Sequence, residues 1–173
     1  MNAREILLDA YGRIGQIVRQ SVDGVDPAGL SYRPEPGSNS IAWLVWHLTR
    51  VQDDHVSDVA GIGQAWTNDG WHGRFAMEAD PHNTGYGHGP EEVAAIPPDP
   101  ALLLAYHEAV ADRSVAYLTT VDDIELDRII DRSYDPPVSV GVRLVSVISD
   151  NLQHAGQARY LRGVVERLTK NGR

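Results

Sequence analysis

Apolar residues recur along this chain at helical spacing in four places. In the first, Ile6, Leu7, Ala10, Ile14, Ile17 and Val18 follow one another at three- and four-residue steps. Arg4, Asp9, Arg13 and Arg19 fall largely off that stripe, which predicts an amphipathic helix over residues 3–20. Residues 21–40 contain three prolines and three glycines and cannot continue it. Ser38 or Ser40 is placed to cap a second helix that runs to about Gly61. From Gly61 to Asp99 the texture changes to Gly, Pro, Trp and His with no sustained period, too long for an inert connection. Asp99-Pro100 is a restart signal, an N-cap followed by proline at the first helical position.

Leu102, Leu103, Tyr106, Val110, Ser114, Tyr117 and Leu118 then mark a third helix ending near Thr120. Residues 121–137 are acidic and turn-like, and Ser139 caps a fourth helix reaching about Lys170. The valines at 138–147 have β character, but the helical spacing continues past them, and the pattern contains no convincing strand. The expected fold is all-α: an antiparallel four-helix bundle with a long irregular excursion between helices two and three, in one domain over residues 1–173.

Polar residues interrupt two of these stripes. On the fourth helix Val147, Asp150, His154, Ala158, Leu161 and Val165 share an arc of about 80°. Asp150 and His154 are its polar members, one turn apart. A carboxylate and an imidazole on a buried face are costly unless paired or bound to a cation. Either they hydrogen-bond to each other in the core, or the buried face lies slightly to one side of them, or they hold a metal ion. On the second helix His47 shares a stripe with Trp43, Leu44, Val51 and Asp54. A lone histidine there is most simply a satisfied core residue, but it also supplies a third ligand if the two helices face each other. Two imidazoles and one carboxylate describe an open site that keeps positions for other ligands.

Charge and composition narrow the chemistry. Fifteen Lys and Arg stand against 24 Asp and Glu, a net charge of −9 that disfavours binding to phosphate backbones. Cysteine is absent, which excludes a disulfide scaffold, a thiolate zinc site, an iron–sulfur cluster and a cysteine nucleophile. The first twenty residues do not read as a signal peptide and no apolar run is long enough to span a membrane, so a cytoplasmic protein is expected. There is no G-x-S-x-G elbow, H-E-x-x-H pair or Walker motif.

The stretches SIAWLVWHLTR and SDNLQHAGQARYLRG, in this order, resemble the DinB/YfiT-like superfamily of metal-binding four-helix bundles. An acidic residue four before the final histidine is similar to the mycothiol-dependent maleylpyruvate isomerase branch. The resemblance implies a divalent metal, most often zinc and alternatively nickel or manganese, held by His47, Asp150 and His154. It further implies a low-molecular-weight thiol such as mycothiol as cosubstrate, a small-molecule electrophile as its partner, and pairing of the bundle into a homodimer. The chain is shorter than the isomerase and lacks room for its additional C-terminal domain.

Beyond the three ligands, Asp54 or His55 is placed to orient a ligand imidazole, whereas Asp53 reads as part of a solvated helix end. Arg143 and Gln157 are candidates for contacting a substrate or cofactor, with a surface salt bridge the commoner fate of such an arginine. The aromatic and histidine residues between Trp66 and His88 form either a lid or a plug for the bundle. His72, His82 and His88 are not expected to be ligands. The leading functional expectation is a metal-dependent thiol transferase or isomerase. The alternatives are a non-catalytic metal- or ligand-binding bundle and a metal-free stress-response scaffold.

Overall fold

A computed structural model of the chain describes residues 1–171. Four long helices build the bundle: α1 (Ala3–Val22), α3 (Ile41–Ala60), α7 (Pro100–Leu118) and α9 (Val140–Asn171). Short helices sit between them: α2 (Pro27–Ser31), α4 (Ala65–Asn68), α5 (Trp71–Arg74), α6 (Pro90–Ala95) and α8 (Asp123–Asp127). Their ends follow local chemistry. Asn2 and Glu5 close a capping box at the start of α1, and the Ser40 hydroxyl accepts from the Trp43 amide at 3.1 Å to begin α3. Gly61 ends α3 in the left-handed conformation, and Asp99 caps α7 just before Pro100.

One expectation needs correction. Ile129–Asp131 (β1) and Val138–Ser139 (β2) pair antiparallel, so a short hairpin precedes α9. The β-branched valines at its foot serve both the pair and the first turn of α9.

α3 packs against α7 and α9, and α1 packs against the same two. Gln52 meets Asn151 while His55 meets Arg143, so α3 and α9 run in opposite directions. Thr49 reaches His107 and Gln52 reaches Ser114, so α3 and α7 run the same way. Arg19 lies by Glu108 and Arg4 by Thr119, so α1 and α7 are antiparallel. The all-α bundle is thus arranged up-down-down-up. The excursion between α3 and α7 has to return along the bundle's length before α7 can start, which explains its size.

That return path covers α3 on the side that the other long helices leave open. Residues 40–53 are buried without interruption, and the first turns, IAWLVWHL, are apolar all round, as a fully covered helix requires. Trp66, Trp71 and Phe75 are buried around Tyr106, so this part of the excursion is a plug rather than a lid. A second, smaller core at the other end gathers Leu7, Tyr11, Val56, Leu118, Leu144 and Val147. Among the described residues no helix is long and apolar enough to cross a membrane.

Candidate metal centre

The antiparallel contact of α3 with α9 brings His47, Asp150 and His154 together. One ligand atom from each lies within 4.8 Å of the others, a spacing that a single ion can bridge. His47 is almost fully buried, while Asp150 and His154 are half-buried at the edge of the α9 seam. The seam itself runs through Leu144, Val147, Asn151, Ala155, Ala158 and Leu161, which shifts the buried face slightly from the stripe expected. Asn151, at its centre, donates to Gln52 at 2.9 Å.

Each ligand is prepared by its neighbours. The main-chain carbonyl of Thr84 stands 2.5 Å from Nδ1 of His47. A carbonyl only accepts, so Nδ1 carries the proton and Nε2 is left with its lone pair. The indole of Trp43 stacks on the same ring at 4.6 Å. Gln157 presents Oε1 at 3.3 Å from Nδ1 of His154, and Nε2 of that ring faces Asp150 Oδ1 at 3.5 Å. Oδ2 of Asp150 is buried without a hydrogen-bond partner among the described residues. A buried carboxylate oxygen with a vacant lone pair, beside two imidazoles whose outer nitrogens are tied down, fits a divalent cation.

The electrostatics agree. Burial lowers the His47 imidazole, outweighing the Thr84 hydrogen bond that favours its charged form. It therefore offers a neutral ring, the form that binds metal. A hydrogen bond donated to Asp150 raises His154 against the cost of burial. Burial opposes ionisation of Asp150, but its hydrogen bond with His154, together with the charges of His154, His47 and His55, holds its carboxyl below the usual value.

A cavity of about 410 Å³ opens onto this group, lined by His47, Val51, Asp54, His55, Thr84 and Asp150, with His82, Tyr86, Ser146 and Val147 completing it. Other residues singled out from the sequence lie around it. Arg143 donates from Nη1 to His55 Nδ1 at 3.0 Å rather than joining a surface salt bridge. Gln157 serves His154. Asp54 accepts from Gln64 at 2.7 Å and does not touch His47, so the orienting role expected of Asp54 or His55 belongs to Thr84. His88 is occupied on both nitrogens, by Trp43 and Asn83.

Asp53 overturns its expectation outright. It is buried and accepts from the amides of Ala65 and Trp66 at 2.8 Å each and from the Tyr106 hydroxyl at 2.9 Å. Arg50, fully buried beside it, donates to the carbonyls of Pro81 and Asn83. This pair ties the excursion down at Ala65 and Trp66 and again at Pro81 and Asn83, just before Thr84. A charged pair directly following the apolar first turns of α3 was the available signal for it.

Two comparisons place the chain. A crystal structure of a conserved protein from Enterococcus faecalis superposes with a TM-score of 0.86 at 29% identity, covering 95% of this chain and 98% of that one. No functionally curated protein matches the sequence. Residues 10–158 match the DinB superfamily as a whole, rather than its mycothiol-dependent isomerase branch. A match that reaches into all four long helices and includes the three-residue group between α3 and α9 makes this chain a member of the DinB superfamily.

Proposed function

We propose that this protein is a divalent-metal-dependent enzyme that transfers or isomerises through a low-molecular-weight thiol, acting on a small electrophile in the cytoplasm. The observation that carries the reading is the convergence of His47, Asp150 and His154, two of which, His47 and Asp150, line a cavity of about 410 Å³. Three protein ligands leave a divalent ion with open positions, and such an ion, when bound, stabilises a thiolate at neutral pH. Zinc suits two imidazoles and a carboxylate, and nickel and manganese are compatible with them.

The chain's own residues do the rest. Thr84 and Gln157 hold the two imidazoles in register, and Asp150 contributes the negative charge that balances the cation. Val51 and Val147 give the cavity apolar wall against which an organic electrophile can rest. No cysteine exists in the chain, so the thiol has to be imported. Mycothiol is the thiol we favour, on the acidic residue four before His154.

The test is turnover of a haloarene by metal-loaded protein with and without added thiol. Thiol-dependent turnover that disappears in His47→Ala and Asp150→Ala supports the reading. Metal-dependent turnover without thiol would point to hydrolysis instead. A protein that retains metal but turns over nothing with any thiol would be a binding bundle.

A further inference from the structure

The cavity holds a second polar centre, which the ligand trio does not use. His55 lies two turns after His47 on α3 and lines the same wall. Arg143, arriving from antiparallel α9, points Nη1 at His55 Nδ1 from 3.0 Å. A guanidinium only donates, so Nδ1 must present its lone pair and the neutral ring must carry its hydrogen on Nε2. That second nitrogen makes no hydrogen bond to a described residue and is not sealed in the protein. Burial holds the ring below its ordinary value, with the Arg143 charge on the same side and Asp54, Asp58 and Asp150 opposing.

Three other polar groups on the cavity wall are already engaged, while the exposed side chains of His82 and Tyr86 make no hydrogen bond to a described residue. Asp54 accepts from Gln64, the Ser146 hydroxyl donates to the Val142 carbonyl, and the Thr84 carbonyl is taken by His47. His55 is thus an N–H donor of fixed direction, with the Arg143 guanidinium 3.0 Å from Nδ1 and the Asp54 carboxylate farther off at 3.6 Å, and the acceptor that suits such a donor is an anionic oxygen.

We propose that His55, held in its Nε2–H form by Arg143, binds the carboxylate of a small molecule whose other end lies at His47, Asp150 and His154. His55 is the residue that touches the ligand, and Arg143 is a positioning residue that acts through it. The ligand is a short carboxylic acid whose apolar middle spans the Val51 and Val147 wall. This rests on the reading of the trio as a site where a thiolate meets a metal.

The experiment uses zinc-loaded full-length protein and two thiols of similar length, 3-mercaptopropionate and propanethiol, with binding measured by calorimetry. The carboxylate thiol should bind roughly tenfold more tightly, as one charge-assisted hydrogen bond implies. In His55→Phe that advantage should vanish while propanethiol binds as before. Arg143→Met retains the imidazole and should reduce the advantage too. Nitrogen-15 NMR of the histidines should show His55 as a single Nε2–H tautomer in the parent and as exchanging tautomers in Arg143→Met.

Equal binding of the two thiols, or an advantage that survives His55→Phe, overturns this assignment and leaves the thiol reading standing. Binding of 3-mercaptopropionate that depends on His55, with none of propanethiol, supports the carboxylate site and removes the thiol reading. Failure of both to bind zinc-loaded protein overturns both. An Nδ1–H tautomer in the parent protein also overturns the assignment.

Discussion

Nδ1 of His47 and the carbonyl oxygen of Thr84 lie 2.5 Å apart, a contact between the central helix and the loop that returns beside it. It fixes which nitrogen of His47 faces Asp150 and His154. Gly85, next in the chain, has φ of +95°, and a Cβ there would come within 2.8 Å of the Trp46 ring and 3.1 Å of His47 Nδ1. The substitution Gly85→Ala should therefore lower stability by at least ~1–2 kcal/mol from backbone strain alone. It should also weaken metal binding, because the Thr84 carbonyl would be pushed off His47. Thermal unfolding and metal titration of the same variant check the two effects.

Metal retention should depend on all three ligands. His47→Ala, Asp150→Ala and His154→Ala should each abolish it, whereas His72→Ala, remote from the trio, should leave it intact. Where free metal exceeds its Kd a hundredfold, binding adds roughly 3 kcal/mol to the folded state. Chelation should accordingly lower the melting temperature by several degrees. Binding should weaken as the pH falls through the raised value of His154, since the proton shared with Asp150 competes for the same lone pair. Metal analysis after desalting, and melting curves with and without EDTA, decide the matter.

His107 predicts a separate pH effect, away from the metal centre. It is buried between α1 and α7, its Nδ1 lies 3.2 Å from the Thr49 hydroxyl, and its Nε2 has no partner among the described residues. Burial, with the Arg19 charge adding to it, pushes the imidazole down to about 4. The unfolded chain takes up the proton near pH 6.5, but the folded chain resists it. Stability is therefore unaffected above pH 6.5 and falls between there and about pH 4, by about 3 kcal/mol in all. Denaturant titrations across this range should show the slope, and His107→Gln should flatten it.

We expect a homodimer formed through α9. Val142, Val145, Ser149, Leu152, Gly156 and Tyr160 share an arc of about 80° on that helix. Val145 is 59% exposed and Tyr160 73% exposed, on a face that no other element covers. Small residues within the stripe let a second copy approach closely, and a stable pairing would bury more than ~1,000 Å² in total. Light scattering should give twice the chain mass at micromolar concentration, and Val145→Glu should return it to the monomer mass.

The long helices and their ends were legible because each is a local event. Ser40, Gly61 and Asp99-Pro100 act within one turn of themselves, and the structure uses all three. The grouping of His47, Asp150 and His154 was legible because these polar side chains interrupt apolar stripes. Thr84 was not, because it contributes a main-chain atom that every residue possesses. Gly85 was visible only as one glycine among several in an irregular stretch. Asp53 was misread because α3 is buried without interruption as far as this residue, and solvent reaches the helix only from Asp54 onward. The parallel course of α3 and α7 depends on how 39 residues fold back between them, and no periodic pattern records that.

Because Thr84 serves the metal centre through its backbone, the identity of its side chain is free. The same loop supplies His82 and Tyr86 to the cavity wall, and neither is needed to hold His47 in place. Side chains at 82, 84 and 86 can therefore be exchanged to suit a different small molecule while Gly85 and the Arg50 anchor keep the loop's course. The atom that orients His47 and the side chains that line the cavity are carried by different parts of one segment. Selection for a new substrate can act on this loop without first having to rebuild the metal centre.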